Sequence, residues 1–208
     1  MTSRGEHWEK VYRSKKSEER SWFQPRPETS LALIRLAGCD QSTHIIDVGG
    51  GTSHLVDVLI AQGFCHITVL DVASSALQEA RQRLGENAGR VEWVEADITS
   101  ASLGKVFDLW HDRAVFHFLT ESNDRAAYVR VLKQSLKHGG YVIVATFAED
   151  GPTHCSGLPV VRYNPTSLLA EVGKGFELVE TREELHRTPA GHGQSFVYCL
   201  FRRTSGCV

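Results

Sequence analysis

The chain has 208 residues, 41% apolar and 23% charged, which is the arithmetic of one folded domain able to bury roughly 70% of its unfolded surface. Its 23 Lys and Arg against 25 Asp and Glu leave a net charge of -2, which argues against nucleic-acid partners, because neutralising phosphates needs a basic excess. Five cysteines, Cys39, Cys65, Cys155, Cys199 and Cys207, are odd in number and lack a CxxC pair, so neither a disulfide framework nor a structural zinc site is expected.

The first 27 residues are polar and mixed in sign, without the hydrophobic core of a secretory signal, so a cytoplasmic protein is expected. Trp8, Tyr12, Trp22 and Phe23 stand out there and suggest a lid rather than a core helix. Helical spacing then covers 28–37, and a β-branched run, His44 to Val48, stops at three glycines. A helix over 54–61, a strand over 66–71 and a helix over 74–84 stopped by Gly85 follow. Strands are expected over 91–95, 106–110 and 141–147, with a helix over 124–137 closed by Gly139 and Gly140. A Pro/Gly-rich loop, 148–164, leads to a helix over 165–172 and two last strands, 176–183 and 195–202. Strands alternating with helices imply right-handed βαβ units around a parallel sheet. The expected fold is α/β: a Rossmann-like seven-stranded mixed sheet, helices on both faces, finished by an antiparallel C-terminal pair. No stretch approaches the roughly 20 apolar residues that a membrane span needs.

The run Asp47-Val48-Gly49-Gly50-Gly51 lies at a strand-to-helix turn, where glycines let a ligand approach the backbone. Asp71 ends the second strand, placed to take the hydroxyls of a ribose, and Asp97 follows the third, where an adenine would lie. A GxGxxG dinucleotide loop would need glycine at position 54, which is His54, so a dehydrogenase is disfavoured. Asp47 would repel a pyrophosphate but suits an ammonium. One ligand that carries an amino-acid ammonium, a ribose and an adenine is S-adenosylmethionine.

With Asp47-x-Gly49-x-Gly51, Asp71, Ala96-Asp97-Ile98 and Phe107-Asp108-Leu109, the chain resembles the class I S-adenosylmethionine-dependent methyltransferases over nearly its whole length. The resemblance implies that Gly49, Gly50 and Gly51 line the methionine portion of the cofactor. It also implies that Asp71 and Val72 hold the ribose, Asp97 and Ile98 the adenine, and that His111, just past the fourth strand, lies along the methionine. Trp22 or Phe23 is expected to close over the cofactor, and S-adenosylhomocysteine would be the product.

For the acceptor, the layout is most similar to the thiopurine S-methyltransferase branch, with Asp112-Arg113 after the fourth strand and a proline-bearing loop after the fifth. That implies a small-molecule thiol or other chalcogen, positioned by Asp112, Arg113, His117, His154 and Arg162. A thiol needs only a nearby cation to ionise. No metal is expected, since acids and histidines do not cluster at ligand spacing. A protein lysine methyltransferase is the alternative, favoured by an acidic groove around Asp112, Glu149 and Asp150. A non-catalytic cofactor-binding regulator is a third reading. A monomer or weak dimer is expected.

Overall fold

A computed structural model of the chain describes residues 3–204. The elements in chain order are α1 (Arg4–Ser14), α2 (Glu28–Leu36), β1 (His44–Val48), α3 (Leu55–Ala61), β2 (His66–Asp71), α4 (Ser74–Leu84), β3 (Val91–Glu95), β4 (Phe107–Arg113), α5 (Ser122–Ser135), β5 (Leu136–Phe147), a two-residue pair β6 (His154–Cys155) and β7 (Leu158–Pro159), α6 (Pro165–Val172), β8 (Phe176–Arg187) and β9 (Gly193–Arg203). The sheet runs β3-β2-β1-β4-β5-β9-β8. The first five strands are parallel, and β9 and β8 are antiparallel. The expected seven-stranded mixed sheet is the one observed.

The sheet divides two layers of core, and strand alternation decides which side chain enters which. Ile45, Leu109, Ile143 and Leu200 face the layer built with α2 and α3, where Leu33 and Leu59 are fully buried. Ile46, Trp110, Val142 and Phe201 face the layer built with α5 and α6, where Tyr128, Leu132 and Leu168 are fully buried. Two-sided burial explains the near-continuous apolar strands. After β1 the chain goes outward to β2 and β3 and then returns to the other side of β1 with β4. The carboxyl ends of β1 and β4 are therefore the topological switch, where open α/β sheets bind ligands.

The structure departs from the sequence reading in the following places for physical reasons. β4 runs on to Arg113 and includes His111 and Asp112, because both polar side chains find buried partners. Gly139 and Gly140 do not close α5; they sit in an irregularity of β5, Gly139 at φ +77°, as the β4 pairing shifts register. β8 and β9 extend to a short turn closed by the Thr188 amide donating to the His192 carbonyl at 2.9 Å. The N-terminal segment holds a regular helix, α1, started by a reciprocal capping box between Ser3 and Glu6. Cys39, Cys65, Cys155 and Cys199 are free thiols, and Cys207 lies outside the described residues. Among the described residues no helix is long and apolar enough to cross a membrane.

Candidate functional site

Two adjoining cavities open at the switch point, of about 810 Å³ and about 490 Å³, each including space open to solvent. Both are lined by Trp22, Gly49 and Arg113. The larger one adds Asp71, Val72, Asp97 and Ile98, and the smaller one adds Asp47, Gly50 and His111. Asp47, Asp71 and Asp97 come from the carboxyl ends of three adjacent strands or the turn just beyond, so the strand order itself lines them up.

The glycine loop is shaped for close approach. Gly49 and Gly51 have φ of +66° and +44°, and a Cβ on Gly49 would run into Val115. A Cβ on Gly50 would lie 2.7 Å from Asp47 Oδ2, and one on Gly51 would lie 2.8 Å from Asp71 Oδ2 and collide with the Tyr12 hydroxyl. The loop's Thr52 and Ser53 carbonyls accept from Arg83 of α4 at 3.0 and 2.8 Å.

Asp47 is 2% exposed, and its Oδ1 accepts from His111 Nδ1 at 2.7 Å. In the neutral ring His111 Nε2 then accepts the hydroxyl of the buried Ser30, at 2.9 Å. Asp47 Oδ2 is buried without a partner. An orphaned carboxylate oxygen beside a glycine cradle fits an ammonium. Asp71 takes the Ala73 amide on Oδ1 at 2.9 Å and the Tyr12 hydroxyl on Oδ2 at 3.4 Å. Burial pushes its carboxyl up to about 7, with the Asp47 charge adding to the rise and the two hydrogen bonds opposing it. Burial also pushes Asp97 up, but the Thr99 amide and hydroxyl and the Arg4 guanidinium together hold it below its ordinary value.

Beyond Gly49 the larger cavity is walled by Phe118, Phe147, Phe196 and Cys155. Arg113 crosses this end. Its Cζ lies 4.6 Å from the Phe196 ring centroid, Nε donates to the Tyr198 hydroxyl at 2.8 Å and Nη1 to the Trp22 carbonyl at 3.1 Å. Nη2 is buried without a hydrogen-bond partner, the Glu184 carboxylate standing 3.7 Å away. Burial pushes the Cys155 thiol up, so it stays protonated.

The structure therefore gathers Trp22, Asp47, Gly49, Gly50, Asp71, Val72, Asp97, Ile98, His111 and Arg113 around the two cavities, with Gly51 behind Tyr12 and Asp71. It places four other expected site residues elsewhere. Asp112 is fully buried, because alternation along β4 turns it toward α5. There its Oδ2 accepts the Tyr128 hydroxyl at 2.7 Å and its Oδ1 the Val115 amide at 2.9 Å. Burial raises its carboxyl to about 6 against these hydrogen bonds. His117 is also fully buried, packed 4.6 Å from Phe147 and 4.5 Å from Phe118 between ring centroids, behind the cavity wall. Burial, with the Arg113 charge, pushes its ring down to about 3, so it is neutral. His154 is exposed beside Thr153, and Arg162 is exposed and donates to the Glu149 carbonyl at 2.6 Å.

Trp8 and Tyr12, expected in a lid, line the larger cavity from a regular helix, and Arg4, not among the expected site residues, joins them. Arg4, Trp8 and Tyr12 stand four residues apart and all line the larger cavity, a stripe on one helix face. The four-residue spacing stands in the sequence, but its first member is a cation, so apolar periodicity does not reveal it. Trp8, Trp22 and Phe118 meet edge-on, with centroids 5.9 and 4.9 Å apart. The wall residues Phe147 and Phe196 carry no sequence signal, since they look like ordinary core strand residues.

Residues 46–142 match the methyltransferase domain family. Malonyl-[acyl-carrier protein] O-methyltransferase of Anoxybacillus flavithermus is 31% identical over 106 residues, which are 50% of this chain and 39% of that protein. Among solved structures, one from the conversion of a disulfide bond into a thioacetal group during echinomycin biosynthesis superposes with TM-score 0.77 at 20% identity, over 96% of this chain and 93% of the other. The N-methyltransferase NodS of Bradyrhizobium japonicum in complex with S-adenosylhomocysteine gives 0.67 at 18%, over 88% and 90%. The 1,6-didemethyltoxoflavin N1-methyltransferase of Burkholderia thailandensis, with bound 1,6-didemethyltoxoflavin and S-adenosylhomocysteine, gives 0.69 at 18%, over 94% and 81%. At these identities the chain shares a fold with the three structures, and that fold is the Rossmann-like fold of the methyltransferases.

Proposed function

We propose that this chain is an S-adenosylmethionine-dependent methyltransferase acting on a small-molecule acceptor, a thiol by preference. The observation that carries the reading is the row of acids at the carboxyl edge of β1, β2 and β3, running through two adjoining cavities. Asp47 Oδ2 would hold the ammonium of the cofactor, Asp71 its ribose hydroxyls, and Asp97 with Ile98 its adenine. Bound there, S-adenosylmethionine would supply an activated methyl group on its sulfonium.

The chain's own work is to bind, orient and exclude water. Phe118, Phe147 and Phe196 make the acceptor end apolar. Arg113 brings a largely buried cation to that end, its Nη2 without a hydrogen bond and 3.7 Å from the Glu184 carboxylate, and a cation there favours an acceptor that arrives as an anion. A thiol ionises near pH 8.5 and needs only such a neighbour. Of the thiopurine-type layout, Arg113 faces the cavity while Asp112, His154 and Arg162 do not. The lysine alternative called for an acidic groove of Asp112, Glu149 and Asp150. Asp112 is buried on the α5 side and does not join Glu149 and Asp150, which line a separate cavity with Glu183 and Glu184. The echinomycin structure, similar in fold, concerns the sulfur of a disulfide bond, whereas NodS and the toxoflavin enzyme are N-methyltransferases.

Incubation with methyl-labelled S-adenosylmethionine and either a panel of small thiols or a denatured lysate tests this. Label is expected in a methyl thioether. Label confined to protein bands would refute the small-thiol reading, and no label despite cofactor binding would favour a regulator.

A further inference from the structure

Arg20 is 2% exposed, a place where a cation persists only if it is paired and hydrogen-bonded. Its Nη2 donates to the Tyr12 and Lys15 carbonyls, both at 2.8 Å, and to Glu79 Oε2 at 2.7 Å. Its Nη1 donates to Glu79 Oε1 at 2.9 Å and to Thr52 Oγ1 at 3.0 Å, and the guanidinium lies 4.9 Å from the Tyr12 ring centroid. The two carbonyls belong to the end of α1, where the last carbonyls of a helix lack intrahelical partners and carry the negative pole of its dipole. Thr52 directly follows Gly51, and Glu79 stands on α4. One side chain thus joins the cap, the glycine loop and the helix after β2.

At its other end α1 is held by Arg4, which bridges Asp97 and Asp124 at 2.7 Å each. Between the two arginines, Trp8 and Tyr12 form the cover of the larger cavity, Tyr12 reaching Asp71. Arg20 itself lines neither of the two cavities.

We propose that Arg20 is a positioning residue that locks the α1 cover to the glycine loop, so that retention of the cofactor depends on a side chain that does not touch it. The proposal rests on the reading of the cavities as an S-adenosylmethionine site. Without the guanidinium fork, α1 keeps its Arg4 anchor and loses its hold on the loop, and ligand escapes from the Tyr12 side.

The test uses the full chain as Arg20→Ala, Arg20→Lys and Glu79→Gln. It reads S-adenosylhomocysteine affinity, its dissociation rate by tryptophan fluorescence, and protease cleavage within the first 27 residues with and without ligand. Arg20→Ala is expected to weaken affinity by about tenfold or more, through faster dissociation, and to abolish ligand protection of the segment. Arg20→Lys should recover part of the loss, and Glu79→Gln should move the same way by less. Folded variants with parent-like affinity and protection would overturn the proposal, a merely structural Arg20 lowering stability alone. If Arg20→Ala does not fold, Arg20→Lys and Glu79→Gln decide by the same criterion. A parent protein that binds no S-adenosylhomocysteine would overturn the cofactor reading and the lock with it.

Discussion

Replacing Asp71 with Asn separates what this residue costs the fold from what it does for the ligand. Asp71 is 4% exposed, and burial lifts its carboxyl from 3.8 to about 7. The folded chain therefore binds this proton more tightly than the unfolded chain. Its stability contribution is fully present below about pH 4 and is lost as pH rises through about 7. At 1.36 kcal/mol per pH unit the loss approaches about 4 kcal/mol at high pH. Asn does not titrate, keeps an acceptor for the Ala73 amide and can donate to the Tyr12 hydroxyl. Urea unfolding of parent and variant between pH 5.5 and 8.5 should thus show a gap in favour of the variant that widens with pH. Calorimetric titration should show the reverse for function. Losing one hydrogen bond to a charged acceptor, at roughly 1.5–3 kcal/mol, weakens S-adenosylhomocysteine about tenfold to a hundredfold. A stability gap that does not change with pH, together with an unchanged dissociation constant, would refute the reasoning.

The same proton links binding to pH. Ribose hydroxyls favour the ionised Asp71, so affinity of the parent for S-adenosylhomocysteine should rise from pH 5.5 to about 7 and then level, while Asp71→Asn stays flat. Trp22→Ala removes a wall of both cavities and two edge-on aromatic contacts, and titration should show binding weakened about tenfold. Asp112→Asn puts an amide against the Tyr128 hydroxyl and the Phe116 amide; unfolding should show a loss of about 1–3 kcal/mol at pH 4 that shrinks as pH rises through about 6, where the buried Asp112 carboxyl of the parent ionises, with cofactor affinity unchanged. Arg113→Met removes the cation from the acceptor end, and the pH-rate profile with a thiol acceptor should move upward by about one unit.

The sheet and the residues that gather at the two cavities were legible because they rest on short-range patterns. Alternation from β1 to β5, glycines at the first turn, and acids at Asp47, Asp71 and Asp97 are each visible within a few residues. The far wall of the larger cavity was less so. Asp112 and Arg113 are neighbours, and only the face alternation of a strand that runs past Trp110 decides that Arg113 enters the cavity while Asp112 turns to Tyr128. Arg20 carried no signal at all, since its partners Thr52 and Glu79 lie 32 and 59 residues away and meet only in the folded chain. The histidines show the same limit. His111 is fixed by Asp47 across the β1–β4 pair, whereas His117 falls behind Phe118 and Phe147, and nothing in their local sequence separates the two.

The central claim is that the acids at the carboxyl edge of β1, β2 and β3 hold S-adenosylmethionine. Calorimetric titration of the purified chain with S-adenosylhomocysteine, in parallel with a nicotinamide dinucleotide, tests it most directly. One S-adenosylhomocysteine per chain, and no heat from the dinucleotide, is the predicted result. Binding of the dinucleotide alone, or of neither ligand, would contradict it.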